Sequence, residues 1–167
     1  ALRGSLEAKD RQFDTQFPGI DIAGAYLKNN SAPTDRVLIS GGEIMGLLWH
    51  ADRKGFYGIN SADTIKKAEE KGAQWIFVYV PLARNELNNE ETLSYIRNNY
   101  ELKQLSFVAS GDTFNAIYLL FKKGGIFDPE GLSNLTRDYP TASKDYEITR
   151  GRRITLGYIT IPNKNSS

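Results

Sequence analysis

Hydrophobic and polar residues recur along this chain with two different periods, which divide it into helices and strands. Apolar residues fall at helical spacing from Gly19 to a break at Asn29-Asn30-Ser31-Ala32-Pro33, because proline disfavours helix in the residue before it. Short apolar runs then alternate with amphipathic segments as far as Asn99. The pattern predicts helices near residues 20–30, 43–51, 62–71 and 90–99, and strands near 36–40, 56–59 and 74–80.

The run Gln74 to Val80 is β-branched and aromatic almost throughout, which predicts a central strand covered on both faces. Strands near 102–110 and 114–122 flank Gly111-Asp112-Thr113, a hairpin signal. Residues 126–145 are rich in Pro, Gly, Ser, Thr and Asp and predict a long loop. A second hairpin is predicted from the alternation in 146–149 and 154–161.

The alternation of helices and strands up to Asn99 favours an α/β fold. We expect three layers: a mixed, mostly parallel sheet of five or more strands, with helices on both faces and a C-terminal antiparallel hairpin. The expected organisation is a lead-in segment at 1–18, an α/β core at 19–123, a covering loop and hairpin at 124–161, and a polar tail at 162–167.

The composition of the chain argues against several kinds of binding and catalytic site. The net charge is +1, from 21 basic and 20 acidic residues, without the basic excess that is typical of nucleic-acid-binding proteins. The chain has no cysteine and one histidine, which excludes thiolate chemistry and makes a poor metal site. We therefore predict no nucleic-acid partner, no metal and no cofactor.

Ser40-Gly41-Gly42 ends the first strand and opens a helix, the place where open α/β sheets bind ligands. Glycines let a ligand approach the backbone, and the free N–H groups at a helix start favour anions. Glu43, however, places a carboxylate at the same helix start. The alternative interpretation is a tight turn in which Glu43 compensates the helix dipole.

His50, Asp52 and Arg53 lie where the helix near 43–51 ends. His50 is a candidate general base, or it compensates the dipole at the helix end. The Arg53 guanidinium is suited to a phosphate or carboxylate, and the alternative is a solvated charged turn closed by Gly55. If Trp49 is buried, the stem of Arg53 would also pack along its ring and hold the turn together. The ligand-binding candidates are Ser40, Gly41, Gly42, Glu43, His50, Asp52 and Arg53. If Ser40, Glu43, His50, Asp52 and Arg53 converge, they line one concavity at the strand ends.

Several short motifs follow one another in a fixed order: residues 37–43 (VLISGGE), 47–56 (LLWHADRKGF), 71–78 (KGAQWIFV), 95–102 (YIRNNYEL) and a last strand at 116–121. As an ordered set, over about residues 19–123, they resemble the C-terminal soluble domain of polytopic membrane glycosyltransferases of the GT-C type. That class includes relatives of the protein O-mannosyltransferases and of the lipid A aminoarabinose transferases.

The resemblance implies an accessory domain on the extracytoplasmic face of a membrane, in the periplasm or at the cell exterior. Its partners would be the transmembrane portion of the same polypeptide and a lipid-linked sugar or acceptor, and the parent enzyme would use a polyprenyl-phosphate sugar. In that class the catalytic acidic residues lie in loops between membrane helices, so no catalytic residue is assigned to this chain. The alternative is a free-standing α/β protein or enzyme that binds a sugar, a sugar phosphate or a nucleotide.

Overall fold

The computed structural model of the chain describes residues 16–148 and 151–164. The first fifteen residues of the predicted lead-in at 1–18 lie outside this part. The strands are β1 (Arg36–Ile39), β2 (Lys54–Tyr57), β3 (Ala73–Tyr79), β4 (Tyr100–Ser110), β5 (Thr113–Lys123), β6 (Ala142–Ile148) and β7 (Arg152–Thr160). The helices are α1 (Ile20–Asn30), α2 (Gly46–Ala51), α3 (Ala62–Glu70), α4 (Arg84–Leu87), α5 (Glu90–Asn99) and α6 (Leu135–Asp138).

The described strands form one seven-stranded sheet in the order β2-β1-β3-β5-β4-β7-β6. The mixed sheet and the C-terminal hairpin of β6 and β7 confirm the α/β prediction. The prediction of a mostly parallel sheet is wrong. In the described part β1 pairs in parallel with β2 and β3, whereas the other four pairings are antiparallel.

The reason lies in the connections between strands. Helical crossovers, which parallel pairing requires, join β1 to β2, β2 to β3 and β3 to β4, but β5 lies between β3 and β4 in the sheet. The later strands β4 and β5 return through a tight turn at Gly111, whose φ is +60°. The sheet is strongly curled into a half-barrel, so it does not form the plain three-layer arrangement that was expected.

Strand β3 lies inside the sheet, between β1 and β5, as predicted. Its side chains alternate between two hydrophobic cores. Trp75, Phe77 and Tyr79 pack on the side of α1 and α2. Ile76 and Val78 pack on the side of α3 and α5. This single strand therefore contributes to the burial on both faces of the sheet.

Two boundaries differ from the prediction. The helix expected near 43–51 divides into a 3₁₀ turn at Gly42–Ile44 and the helix α2. The loop expected at 126–145 contains a 3₁₀ helix at Pro129–Asn134, helix α6 and the start of β6. Asp128 caps this region by accepting from the Glu130 N–H at 3.0 Å, and leucines of the segment pack on the second core.

Asp21, in the first turn of α1, attaches that helix to the distant strand β6. Its Oδ1 accepts from the Tyr146 hydroxyl at 2.6 Å, and its Oδ2 accepts from Lys144 Nζ. The Asp21 side chain is 14% exposed and that of Lys144 is 48% exposed, so the carboxylate is shielded from solvent more than the ammonium group is. Charge-assisted hydrogen bonds in such a place are stronger than those on an open surface.

This contact predicts a pH dependence. Burial raises the pKa of Asp21, but the hydrogen bonds from Lys144 and Tyr146, with the charge of Lys144, outweigh burial and lower it below its usual 3.8. The stabilisation is therefore complete above about pH 4 and is lost as the pH falls through the depressed pKa, because unfolding then takes up a proton. We expect Asp21→Asn to flatten the pH dependence of the free energy of unfolding, measured by urea denaturation between pH 2.5 and 7.

Asp63→Asn, at an exposed position in the first turn of α3, is the matched control and should leave that dependence unchanged. The assignment to Asp21 is wrong if the native chain and Asp21→Asn lose stability in parallel at low pH.

Candidate functional site

Six of the seven predicted site residues fall into two groups at opposite ends of the parallel strands, and His50 lies in the helix between them. Ser40 to Glu43 follow the C-terminal end of β1, whereas Asp52 and Arg53 precede the N-terminal end of β2. Because β1 and β2 run in parallel, the intervening helix α2 must carry the chain back from one edge to the other. The structure therefore does not bring Ser40 and Glu43 together with Asp52 and Arg53 in one concavity.

The Ser40 turn is occupied by its own contacts. Ser40 is buried, its Oγ accepts from the Tyr79 N–H at 3.0 Å, and its own N–H donates to the Phe77 carbonyl at 3.0 Å. The Glu43 carboxylate folds back over the turn, where a Cβ added to Gly41 would lie 2.5 Å from Glu43 Oε2. These contacts favour the tight-turn interpretation, since the carboxylate would repel an anion at this helix start.

His50 lies where α2 packs tightly against α1. A Cβ added to Gly24 of α1 would lie 2.3 Å from the Cβ of His50. The ring of Trp49 meets the His50 ring edge to face, with centroids 5.2 Å apart. Trp49 itself is 57% exposed, so the expectation that it is buried is wrong.

Helix α2 ends at Asp52, which is the non-glycine residue with positive φ (51°) in the described part of the chain. Aspartate tolerates this left-handed conformation better than most residues. The turn closes with hydrogen bonds from the Asp52 N–H to the Trp49 carbonyl and from the Arg53 N–H to the Leu48 carbonyl, each 3.1 Å. This closure directs the Arg53 side chain back toward the ends of both α1 and α2.

The Arg53 guanidinium makes five hydrogen bonds there. Nε donates to Ser31 Oγ (2.9 Å), Nη1 to the carbonyls of Ala51 (3.3 Å) and Asp52 (2.9 Å), and Nη2 to the carbonyls of Lys28 (3.2 Å) and Ser31 (2.9 Å). A guanidinium has five N–H donors, so each has a protein acceptor. Arg53 thus stabilises the carbonyl ends of two helices, which favours its structural role over anion binding.

Beside Arg53 lies an open groove of about 780 Å³, which we call the Trp49 groove. It occupies the N-terminal edge of the parallel strands and combines one exposed aromatic ring with charged and polar side chains. Its lining residues are Lys28, Pro33, Thr34, Asp35, Arg36, Leu48, Trp49, Asp52, Arg53 and Lys54.

The charges of the Trp49 groove divide into those used by the fold and those left available. Asp35 Oδ2 accepts from the Trp75 indole N–H and from the Ala32 N–H, each at 3.1 Å. Within the described residues the side chains of Lys28, Arg36 and Lys54 make no hydrogen bond or ion pair. Three cations and an exposed indole therefore line the same groove.

Sequence reasoning selected Asp52 and Arg53 in this groove and missed Lys28, Arg36 and Lys54. The information that was missing is the topology of the sheet, which a local sequence pattern does not show. A helix–strand–helix–strand order with parallel strands brings the end of α1 and the starts of β1 and β2 to one edge. Lys28 is in the last turn of α1, and Arg36 and Lys54 are the first residues of their strands.

A second polar cluster lies away from the groove, around Glu69 of α3. Its carboxylate accepts from the hydroxyls of Tyr95 (3.0 Å) and Tyr100 (2.7 Å) and from Lys123 Nζ (3.1 Å). Burial and the hydrogen bond to Glu69 raise the pKa of Tyr95 to about 12, and they raise the pKa of Tyr100 as well. Both phenols thus stay protonated and donate to Glu69, which joins α3 to α5, β4 and β5.

Comparison of the chain with protein-family models, with curated proteins and with solved structures gave no significant match. In residues 16–148 and 151–164 no helix is long and apolar enough to cross a bilayer. The same residues contain no group of three or more His, Asp or Glu side chains placed to hold a metal ion.

The hydrogen bonds of Arg53 give a prediction for stability. Arg53→Ala leaves the carbonyl ends of α1 and α2 without these donors, and we expect it to lower the free energy of unfolding by about 2–4 kcal/mol. Lys54→Ala, an adjacent and exposed cation, should change it by less than about 0.5 kcal/mol. Urea denaturation of both variants at pH 7 measures the difference. Equal stabilities of the two variants would contradict the structural role of Arg53.

Proposed function

We propose that this chain is a non-catalytic, saccharide-binding accessory domain of a membrane-embedded glycosyltransferase that uses a polyprenyl-phosphate sugar, located on the extracytoplasmic face. The observation that carries the binding function is Trp49, which is 57% exposed inside a groove lined with polar groups. The link to a membrane enzyme is supported by the ordered motifs at residues 37–43, 47–56, 71–78 and 95–102.

The groove suits a sugar for physical reasons. One face of a pyranose ring is rich in C–H groups and stacks on an aromatic ring, while its hydroxyls need polar partners around that ring. Trp49 offers a large apolar surface with a polar edge. Thr34 and Asp52 lie along the same groove and offer a hydroxyl and a carboxylate. An exposed aromatic residue rimmed by polar groups is typical of a binding surface.

In the parent enzyme the domain would contact the transmembrane portion of the same polypeptide. Its role would be to hold the lipid-linked sugar or the acceptor close to the membrane-embedded catalytic loops. Binding of this kind raises the local concentration of a substrate without taking part in the chemical step. The catalytic residues would then belong to the membrane portion.

The second candidate is a free-standing binding protein for a sugar phosphate or a nucleotide. The specific observation in its favour is the set of cations Lys28, Arg36 and Lys54 beside Trp49, because an indole also stacks on a nucleobase. Thermal-shift measurements with neutral sugars, sugar phosphates and nucleotides separate the two candidates. A stabilisation of about 2.7 kcal/mol is expected at a ligand concentration 100 times the Kd.

Trp49→Ala is the direct test of the groove. Stacking a sugar on the exposed part of the indole is worth about 1–2 kcal/mol, so we expect the variant to bind saccharides about tenfold more weakly. Its melting temperature should change little, because the ring is mostly outside the core.

Phe114→Ala removes an aromatic ring of the same 57% exposure on β5 and should leave the affinity for saccharides unchanged. Calorimetric titration of both variants checks this. Equal affinity of Trp49→Ala and the native chain would refute the groove as the sugar site.

The proposed setting makes a separate prediction about the gene. We expect the native reading frame to encode several membrane-spanning helices upstream of this segment, which sequencing of the locus checks directly. A frame that encodes this segment without such helices would exclude the accessory role and leave the free-standing binding protein.

A further inference from the structure

We infer that the Trp49 groove selects acidic oligosaccharides over neutral ones; this inference rests on the saccharide-binding function proposed above. The ligand class meant here is a chain of several sugar units that carries carboxylate, sulfate or phosphate groups on more than one unit. Three independent properties of the groove lead to it: its residual charge, the position of its cations in the sheet, and its size.

The first property is charge. Of the charged side chains that line the groove, Arg53 donates all its N–H groups to protein oxygens, and Asp35 accepts from Trp75 and a backbone N–H. What remains is a set of three cations opposed by one carboxylate, that of Asp52. The chain as a whole carries a net charge of only +1, so the residues outside the groove have no net positive excess. Such a local excess attracts anions.

The second property is the placement of two of these cations side by side. Arg36 and Lys54 are register partners in the parallel pair of β1 and β2, and neighbouring strands lie about 4.8 Å apart. Like charges directly opposite each other in a sheet are destabilising. In the described part of the chain neither side chain has a carboxylate partner. An anionic group bound between them would relieve this repulsion, and the planar Arg36 guanidinium is suited to hold it through two hydrogen bonds.

The third property is size. The groove measures about 780 Å³, toward the upper part of the range of roughly 300–1,000 Å³ for ligand pockets. A single hexose leaves much of that volume empty. Lys28 comes from the end of α1, on a different element from the Arg36–Lys54 pair. One sugar unit stacked on Trp49 with charged neighbouring units uses the whole groove.

The test compares ligands that differ in charge at equal length. Native protein is titrated calorimetrically with a hexamer of galacturonic acid, a sulfated hexasaccharide, a neutral hexamer of glucose, galacturonic acid itself and glucose 1-phosphate. We expect the galacturonate hexamer to bind about tenfold more tightly than the neutral hexamer, the gain from two partly exposed ion pairs. The preference should shrink as salt is raised. The sulfated hexasaccharide shows which acidic group is preferred.

The double variant Arg36→Gln with Lys54→Met should remove the preference for the acidic hexamer, so that the ratio of the two hexamer affinities falls to about one. The matched control is Lys67→Met with Arg97→Gln, which removes one lysine and one arginine at exposed positions on α3 and α5, outside the groove. This control should keep the full preference. Far-ultraviolet circular dichroism and melting temperatures verify that both double variants are folded.

The outcomes separate this inference from the function on which it rests. Equal binding of acidic and neutral hexamers overturns the inference and leaves saccharide binding intact. Glucose 1-phosphate binding as tightly as either acidic hexamer also overturns it, because one anionic group would then suffice. A preference that survives in the Arg36→Gln, Lys54→Met variant overturns the assignment to this pair. Failure of every saccharide to bind at millimolar concentration overturns the proposed function as well.

Discussion

The edge of the sheet that carries the Trp49 groove depends on one cation, the Arg53 guanidinium, which is surrounded by carbonyl oxygens. Helices α1 and α2 end side by side, and each would leave unpaired carbonyls and the negative end of a dipole in a half-buried place. The five hydrogen bonds of Arg53 satisfy both ends together. Because α1 and α2 form much of the wall of the groove, the positions of Lys28 and Trp49 follow from this arrangement.

The two halves of the sheet contribute differently. The parallel half, with helical crossovers, brings three chain segments to one edge and so creates the groove. The antiparallel half supplies long strands whose register provides a continuous hydrophobic surface on both sides. Asp21 links the halves, because its carboxylate holds α1 against β6. The groove is thus supported by a strand distant from it in the sequence.

Local patterns predicted most helices and strands, because periodicity and turn residues are properties of neighbouring positions. The run Gln74 to Val80 is an example, and its burial on both faces follows from its composition. Strand direction was predicted poorly, since pairing depends on which distant segments meet. The same limit applies to the site: Lys28 and Arg36 have no local signature. Trp49 lies in an apolar segment at helical spacing, so nothing local distinguished an exposed ring from a core residue.

The approach of α1 to α2 depends on the missing side chain of Gly24. A single methyl group there would overlap the Cβ of His50 at 2.3 Å, a separation that real side chains do not tolerate. The distance between the two helices, and with it the width of the groove, therefore depends on Gly24 having no side chain. Adaptation to a wider ligand would then need no change among the lining residues, because a small substitution at the helix crossing would move one wall as a unit.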